Sequence, residues 1–338
     1  MKEKIAVLLV NLGTPDSPKT LDVGRYLFQF LNDKRVIDIP WLLRKILVNL
    51  IIVPFRAPKS AKIYKDLWTQ KGSPIIYHTH DLSEKLKNVL GDDYHLEYAM
   101  RYKNPSLKKT LQSWKGKNFK QIIILPLFPH YASATNGSVI EEAMEVIKKW
   151  WVIPELSFVS QFYNEEFYLK GFEEKGNAHD FKDYDHILFS FHGLPERHVD
   201  KVYNDGLCKD NNCEHGINDE NVYCYKATCY ETAIQLAKRF KLKDEDYSVG
   251  FQSRLGKGWI EPFSDDIITN LAKNGAKKLL VFSPAFVADC LETIIEIGDE
   301  YQELFEEHGG EKVQLVESLN SSDTFVHGLK EMILKRSL

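Results

Sequence analysis

Short apolar runs alternate along this chain with longer stretches in which apolar residues recur at helical spacing. Ile5–Val10, Gln121–Leu125, Ile187–Phe191 and Leu279–Phe282 are dominated by aliphatic and aromatic side chains and bounded by turn residues. Such runs predict strands buried on both faces, as in a parallel sheet covered by helices. Each ends in turn chemistry. Ile5–Val10 leads into Asn11-Leu12-Gly13-Thr14-Pro15, and Gln121–Leu125 into Pro126 and then Phe128-Pro129-His130-Tyr131. Ile187–Phe191 leads into His192-Gly193-Leu194-Pro195, and Leu279–Phe282 into Ser283-Pro284-Ala285-Phe286. Ser17-Pro18 predicts the N-cap and first position of a helix running through Tyr26, Leu27 and Phe30.

A strand followed by Gly-x-Pro, and later a strand followed by Pro and an aromatic residue, occurs once in each half of the chain. The repetition predicts an α/β fold of two Rossmann-like domains, each a parallel β-sheet flanked by helices, facing each other across a cleft. Their boundary is expected in Gly171–Asp180, which gives an N-terminal domain over 1–170 and a C-terminal domain over 171–338. The longest apolar stretch, Trp41 to Phe55, is interrupted by Arg44, Lys45, Asn49 and Pro54 and cannot cross a bilayer. It fits equally a core helix and a helix lying on a membrane. With Leu27, Phe28, Phe30 and Leu31 it forms an expected apolar lip over about 27–55.

Composition narrows the class. The formal charge of -4 over 338 residues offers no net positive field for nucleic acid. Lys4 runs directly into Ile5–Val10, too short for the core of a signal peptide, so a cytoplasmic location is expected, where thiols stay reduced. That gives weight to Cys208, Cys213, Cys224 and Cys229, spaced x4, x10 and x4. Four thiols so close together in such a compartment predict a metal site rather than disulfides. Zinc and a [2Fe–2S] cluster both use four cysteines, and the spacing leaves both open.

In open α/β sheets, ligands bind beyond the carboxyl ends of the strands. Three groups lie there: His192; Asp289, Glu292 and Glu296; and Pro129-His130-Tyr131-Ala132-Ser133. Taken singly, His192 fits a turn histidine beside Gly193, and Asp289 with Glu292 fits a capping box. Glu296 lies four residues after Glu292, a spacing at which like charges cost a few tenths of a kcal/mol. A solvated helix face tolerates this; a buried one requires protons or metal ions among the carboxylates. Both readings stand on the pattern alone.

The ordered set of motifs resembles the ferrochelatase family. It comprises Val10–Pro15, Met100-Arg101-Tyr102, Pro129-His130-Tyr131, Ser190–Pro195, Phe251-Gln252-Ser253-Arg254 and Ala288–Thr293. The resemblance implies insertion of Fe²⁺ into a porphyrin, with His192 and Glu292 on opposite sides of the macrocycle. Asp289 and Glu296 match neighbouring acids of the family, Arg101 and Tyr102 match residues near the porphyrin, and Tyr131 and Ser133 lie in the matching first-half loop. Cys290 stands where some members carry a second histidine, so no role of that histidine transfers. The internal cysteines match a segment that holds a [2Fe–2S] cluster in some microbial members, with zinc as the alternative. The chemistry suits these residue types: imidazole accepts a pyrrole proton near neutral pH, and carboxylates suit Fe²⁺. The expected partners are porphyrin and Fe²⁺, protoporphyrin IX being favoured over coproporphyrin III because the first segment is so apolar. The lip adds an expected peripheral contact at the inner face of a membrane, and the chain is expected as a monomer or homodimer. Competing classes are a two-lobed metal or haem carrier and a chelatase for another metal and tetrapyrrole.

Overall fold

A computed structural model describes residues 4–338. The chain forms two compact units. The first comprises the chain as far as Phe128, then Ser133–Gln161 and Val326–Leu338; the second comprises Pro129–Ala132 and Phe162–Phe325.

The first unit is built on four parallel strands, β1 (Ile5–Gly13), β2 (Tyr94–Tyr102), β3 (Gln121–Pro126) and β4 (Glu155–Phe158), in the order β2-β1-β3-β4. β1 pairs with both β2 and β3, so that Leu8 stands beside Glu97 on one side and Ile124 on the other. Leu8, Val10, Ile122 and Ile124 meet Trp114 and Val139 from the helices Leu107–Trp114 and Ser138–Ile147 in one buried cluster. The second unit repeats the plan with β5 (His186–His192), β6 (Tyr247–Gln252), β7 (Lys278–Phe282) and β8 (Lys312–Leu315), in the order β6-β5-β7-β8. The same strand order in both units, with parallel pairing throughout, is the repeated Rossmann-like architecture that the paired turn motifs predict.

The division falls earlier than the expected 170/171. The helix Glu166–Gly176 buries Tyr168, Leu169 and Phe172, and the Tyr168 hydroxyl donates to Pro284 O at 2.7 Å, inside the second unit. The end of the chain returns to the first unit. Gln121 Nε2 donates to Arg336 O at 2.7 Å, and the Leu338 N–H donates to Gln121 Oε1 at 3.1 Å. The first helix covers Thr20–Leu31, three residues beyond Ser17. Ser17 Oγ instead donates to Asp22 Oδ2 at 2.6 Å, so the serine ties the entry turn to the helix side chain without capping its backbone.

The stretch from Trp41 is helical through Leu67, with a wide π-helical portion at Leu47–Ile52. It is not a core helix on its outer face: Trp41 is 64%, Leu50 68% and Phe55 73% exposed. Arg44, the charge that interrupts it, turns inward and donates to Ile37 O and Ile39 O. Among the described residues no helix is long and apolar enough to cross a membrane.

Candidate active site and cysteine centre

In the second unit the chain crosses from one side of β5 to the other between β6 and β7, so the ends of β5 and β7 form a switch point where α/β sheets hold ligands. His192 is the last residue of β5 and lies in register with Gln252 at the end of β6. Its Nδ1 lies 2.6 Å from Gly193 O. A carbonyl can only accept, so Nδ1 carries the hydrogen and Nε2 is left with its lone pair. The imidazole is thereby set as a proton acceptor or metal ligand at Nε2.

The acidic row follows β7. Glu292–Glu300 is π-helical, closed by the Tyr301 N–H donating to Glu296 O, and a wide helix of this kind is rare outside functional segments. Thr293, Ile295 and Ile297 face inward, and Ile297 joins the core cluster with Leu188, Leu279 and Val281. That burial fixes the helix so that Glu296 meets the end of β6. Glu296 Oε2 accepts from Ser253 Oγ at 2.6 Å and from Gln252 Nε2 at 2.9 Å. Gln252 cannot flip, because its Oε1 accepts from Ser190 Oγ at 2.9 Å while its amide also donates to Glu292 O at 3.0 Å. Burial raises the Glu296 carboxyl above the ordinary carboxylate value. The bonds from Ser253 and Gln252 and the nearby His192 oppose the rise, and Glu292 adds to it. Glu292 and Glu296 are thus half-buried side chains on the inner side of this helix, and the capping box is not made.

Asp289 stands apart from that row. Its carboxylate accepts from Asn320 Nδ2 at 2.7 Å, the Ser318 N–H at 3.2 Å and Thr293 Oγ1 at 3.3 Å. All three bonds pin the turn between β7 and the acidic helix, which makes Asp289 a support for that helix. Asp299 and Glu300, at its far end, are exposed.

In the first unit Arg101 and Tyr102 end β2, and both turn onto a residue the motifs did not single out. Asp33 accepts from Arg101 Nη2 at 2.8 Å, Tyr102 Oη at 2.8 Å and Ser138 Oγ at 2.5 Å. Burial pushes the Asp33 carboxyl up, but these partners and the Arg35 backbone N–H outweigh it and hold it below the ordinary value. Tyr102 is fully buried in this cluster. The cluster also orients Arg35, whose guanidinium donates to Ser133 Oγ at 2.8 Å and to Glu141 Oε2 at 2.7 Å. Tyr131, in the second unit, is half-buried with its ring edge-on to Tyr223 at 5.6 Å.

Of the four clustered cysteines, three converge. The Sγ atoms of Cys208, Cys213 and Cys224 lie 3.7, 3.5 and 3.5 Å apart and all three residues are buried. Thiolates sharing one tetrahedral ion at 2.3 Å would stand about 3.8 Å apart, so this donor set fits a metal. Cys229 is fully buried in the helix Tyr225–Phe240 and is not within that group.

A family profile described as Ferrochelatase matches residues 4–337. The chain belongs to the ferrochelatase family. A ferrochelatase of Legionella pneumophila is 42% identical over 328 residues, covering 97% of this chain and 98% of that protein. A ferrochelatase of Coxiella burnetii is 42% identical over 337 residues, covering 98% of this chain and 94% of the relative. Among solved structures, SirB from Bacillus subtilis with Fe³⁺ aligns over 98% of this chain and 95% of its own, with a TM-score of 0.52 at 10% identity. CbiX, described as the terminal enzyme of sirohaem biosynthesis in denitrifying bacteria, aligns with a TM-score of 0.50 at 12% identity, over 98% of this chain and 99% of its own. These two share the fold.

Within the ferrochelatase frame, Gln252 and Ser253 carried no assigned role in the motif that contains them, yet they hold Glu296. No pattern in the sequence marks them; in the structure Ser253 adopts φ +63°, uncommon for serine, at the turn where its hydroxyl meets Glu296. Asp33 and Arg35 carried no signal at all, since only tertiary packing brings them to Arg101 and Ser133.

Proposed function

We propose that this chain inserts Fe²⁺ into a porphyrin to make haem, with His192 removing pyrrole protons and the Glu292–Glu296 row holding protons or iron beside it. The observation that carries the reading is the His192–Gly193 hydrogen bond, which leaves Nε2 with its lone pair near a half-buried carboxyl that desolvation raises above its ordinary value. Metallation releases two N–H protons and strips water from Fe²⁺. A fixed acceptor serves the first need, and oxygen donors of adjustable charge serve the second. Glu292 and Glu296 are the acids of this path, and Asp289 acts by holding their helix in place. The named ferrochelatase relatives support the same activity.

Tyr102, fully buried with its hydroxyl on Asp33, acts on the porphyrin indirectly, and Arg101 is held beside it by Asp33 at Nη2 and by Ser138 at Nε; Ser133 and Tyr131 are the groups proposed to touch it. Protoporphyrin IX is preferred over coproporphyrin III, a choice supported by the exposed apolar side chains of Trp41–Phe55. The decisive experiment is an anaerobic assay with Fe²⁺ and each porphyrin, following loss of free-porphyrin fluorescence. His192→Ala should abolish metallation and leave porphyrin quenching of protein fluorescence intact. Turnover near the parent rate would remove His192 from the mechanism.

For the cysteine segment we propose a [2Fe–2S] cluster held by Cys208, Cys213 and Cys224 with Cys229 as fourth ligand, a group that would add a structural tie between the segment and the helix Tyr225–Phe240. Zinc is the second reading, favoured by the mutual spacing of three thiols at the distance one ion imposes. Cys229→Ser discriminates. A cluster predicts loss of visible absorption and acid-labile sulfide in that variant, whereas a three-thiolate zinc site predicts unchanged zinc content.

A further inference from the structure

One buried side chain is left unused by this chemistry. His130 is 2% exposed and enclosed by the rings of Tyr163, Tyr168, Phe191 and Tyr225, with centroids 5.4 to 6.2 Å away. Its Nε2 lies 2.9 Å from Thr232 Oγ1. The Thr232 hydroxyl already donates to Thr228 O at 3.0 Å, so its oxygen can only accept from the imidazole, and His130 Nε2 carries the shared hydrogen. Nδ1 is then a bare acceptor, buried and without a hydrogen-bond partner. Burial lowers the His130 pKa to about 3, so the ring is neutral at any pH at which the protein works.

A buried acceptor without a partner costs about 1–3 kcal/mol. Phenylalanine would fill the same aromatic cage without that cost, so packing alone does not account for an imidazole here. What distinguishes histidine is the single bond to Thr232. That bond joins two segments. Thr232 lies in the helix Tyr225–Phe240, which begins directly after Cys224, and His130 lies in Pro129–Ala132, directly before Tyr131. The same loop also meets the end of the cysteine segment, two residues before that helix, where Tyr131 stands edge-on to Tyr223. The His130 ring also packs against Phe191, the residue before His192, with centroids 5.4 Å apart.

We propose that His130 is a positioning residue, a neutral donor that clamps the loop bearing Tyr131 to the helix following the cysteine segment and so sets where Tyr131 stands against the porphyrin. The role rests on the proposed porphyrin contact of Tyr131. It assigns His130 no part in proton transfer, because Nε2 is committed to Thr232 and Nδ1 is sealed among rings. The effect therefore belongs to porphyrin binding, with the chemical step spared.

His130→Phe keeps the ring and removes the donor. It is expected to raise the KM for porphyrin about five- to tenfold, the factor of one ordinary hydrogen bond, with kcat within about twofold of the parent. His130→Gln, whose amide N–H has a similar reach, is expected to restore the KM. Thr232→Val breaks the same bond from the other side, and the double variant with His130→Phe should be no worse than either single one. A parent-like KM in His130→Phe would overturn the proposal, as would equal losses in the Phe and Gln variants, since the role would then be packing alone. Denaturation midpoints of the parent, both single variants and the double variant read the clamp without any assay of activity; no coupling between positions 130 and 232 would also overturn it. A parent protein that metallates no porphyrin would instead sink the functional reading, and the denaturation cycle would still decide whether the clamp exists.

Discussion

Glu296 is the residue whose environment says most about the chemistry. Burial raises its carboxyl, so the folded protein holds a proton there that the unfolded chain has already lost above its ordinary value of 4.5. A folded state that binds more protons than the unfolded one loses stability as pH rises. The contribution is therefore full below about pH 4.5 and declines as pH climbs through the raised folded value. Glu296→Gln keeps an oxygen for Ser253 and Gln252 but cannot ionise. The variant should match the parent in chemical denaturation at pH 4 and exceed it by an increasing margin toward pH 8. A margin that stays level across that range would mean that Glu296 titrates as an ordinary surface acid. The same substitution is expected to slow metallation at least tenfold, because a neutral amide cannot pass a proton and, lacking charge, ligates Fe²⁺ only weakly. Little of this was legible in the sequence. The i, i+4 spacing of Glu292 and Glu296 posed the choice between a solvated and a buried row, and the bonds that draw Glu296 partly out of solvent come from Gln252 and Ser253, distant in the chain.

Elements divide cleanly into those the apolar pattern reveals and those it hides. The four runs read as strands are β1, β3, β5 and β7, and these are the interior strands of the two sheets. The four that were not read, β2, β4, β6 and β8, are the edges. An interior strand of a parallel sheet is apolar on both faces and reads as an unbroken run. An edge strand such as Tyr94–Tyr102 alternates, with His95, Glu97 and Arg101 half-buried, and so gives no continuous apolar signal. The turn after β5 was legible as Gly-x-Pro, though not the reason for its glycine. Gly193 donates its N–H to Gln252 O at 2.8 Å, and a β-carbon at Gly193 would sit 2.7 Å from that same oxygen. Gly193→Ala must therefore push the end of β5 away from β6, at a cost of about 1–3 kcal/mol. Since His192 and the Gln252–Glu296 pair sit on those two strand ends, metallation should fall by an order of magnitude or more while thermal unfolding stays cooperative. Unaltered turnover in Gly193→Ala would show that the separation of His192 from Glu296 does not govern the rate.

For the molecule as a whole, the outstanding feature is an apolar surface that folding leaves uncovered. Trp41, Leu42, Leu43, Ile46, Leu50, Ile51 and Phe55 are all exposed along one helical stretch, with Lys45, Arg56 and Lys59 among them. The sequence left this segment balanced between core and membrane surface; its exposure removes the first option for the outer face, since patches of this kind on soluble chains mark binding sites. Amphipathic helices with interleaved cations bind bilayers by burying apolar side chains while their charges meet anionic headgroups. The overall charge of -4 opposes that attraction, so any attachment must be local to this stretch. The protein is expected to co-sediment with vesicles containing anionic phosphatidylglycerol more than with purely zwitterionic phosphatidylcholine vesicles. Leu50→Glu with Phe55→Glu should release it from both, because the substitutions remove the insertion and reverse the local charge together. Equal sedimentation of parent and double variant would exclude a bilayer as the partner of this face. Metallation of a porphyrin delivered in detergent separates the two uses of the segment. If it also falls in the double variant, the exposed side chains serve the porphyrin; if it is unchanged, they serve the membrane alone.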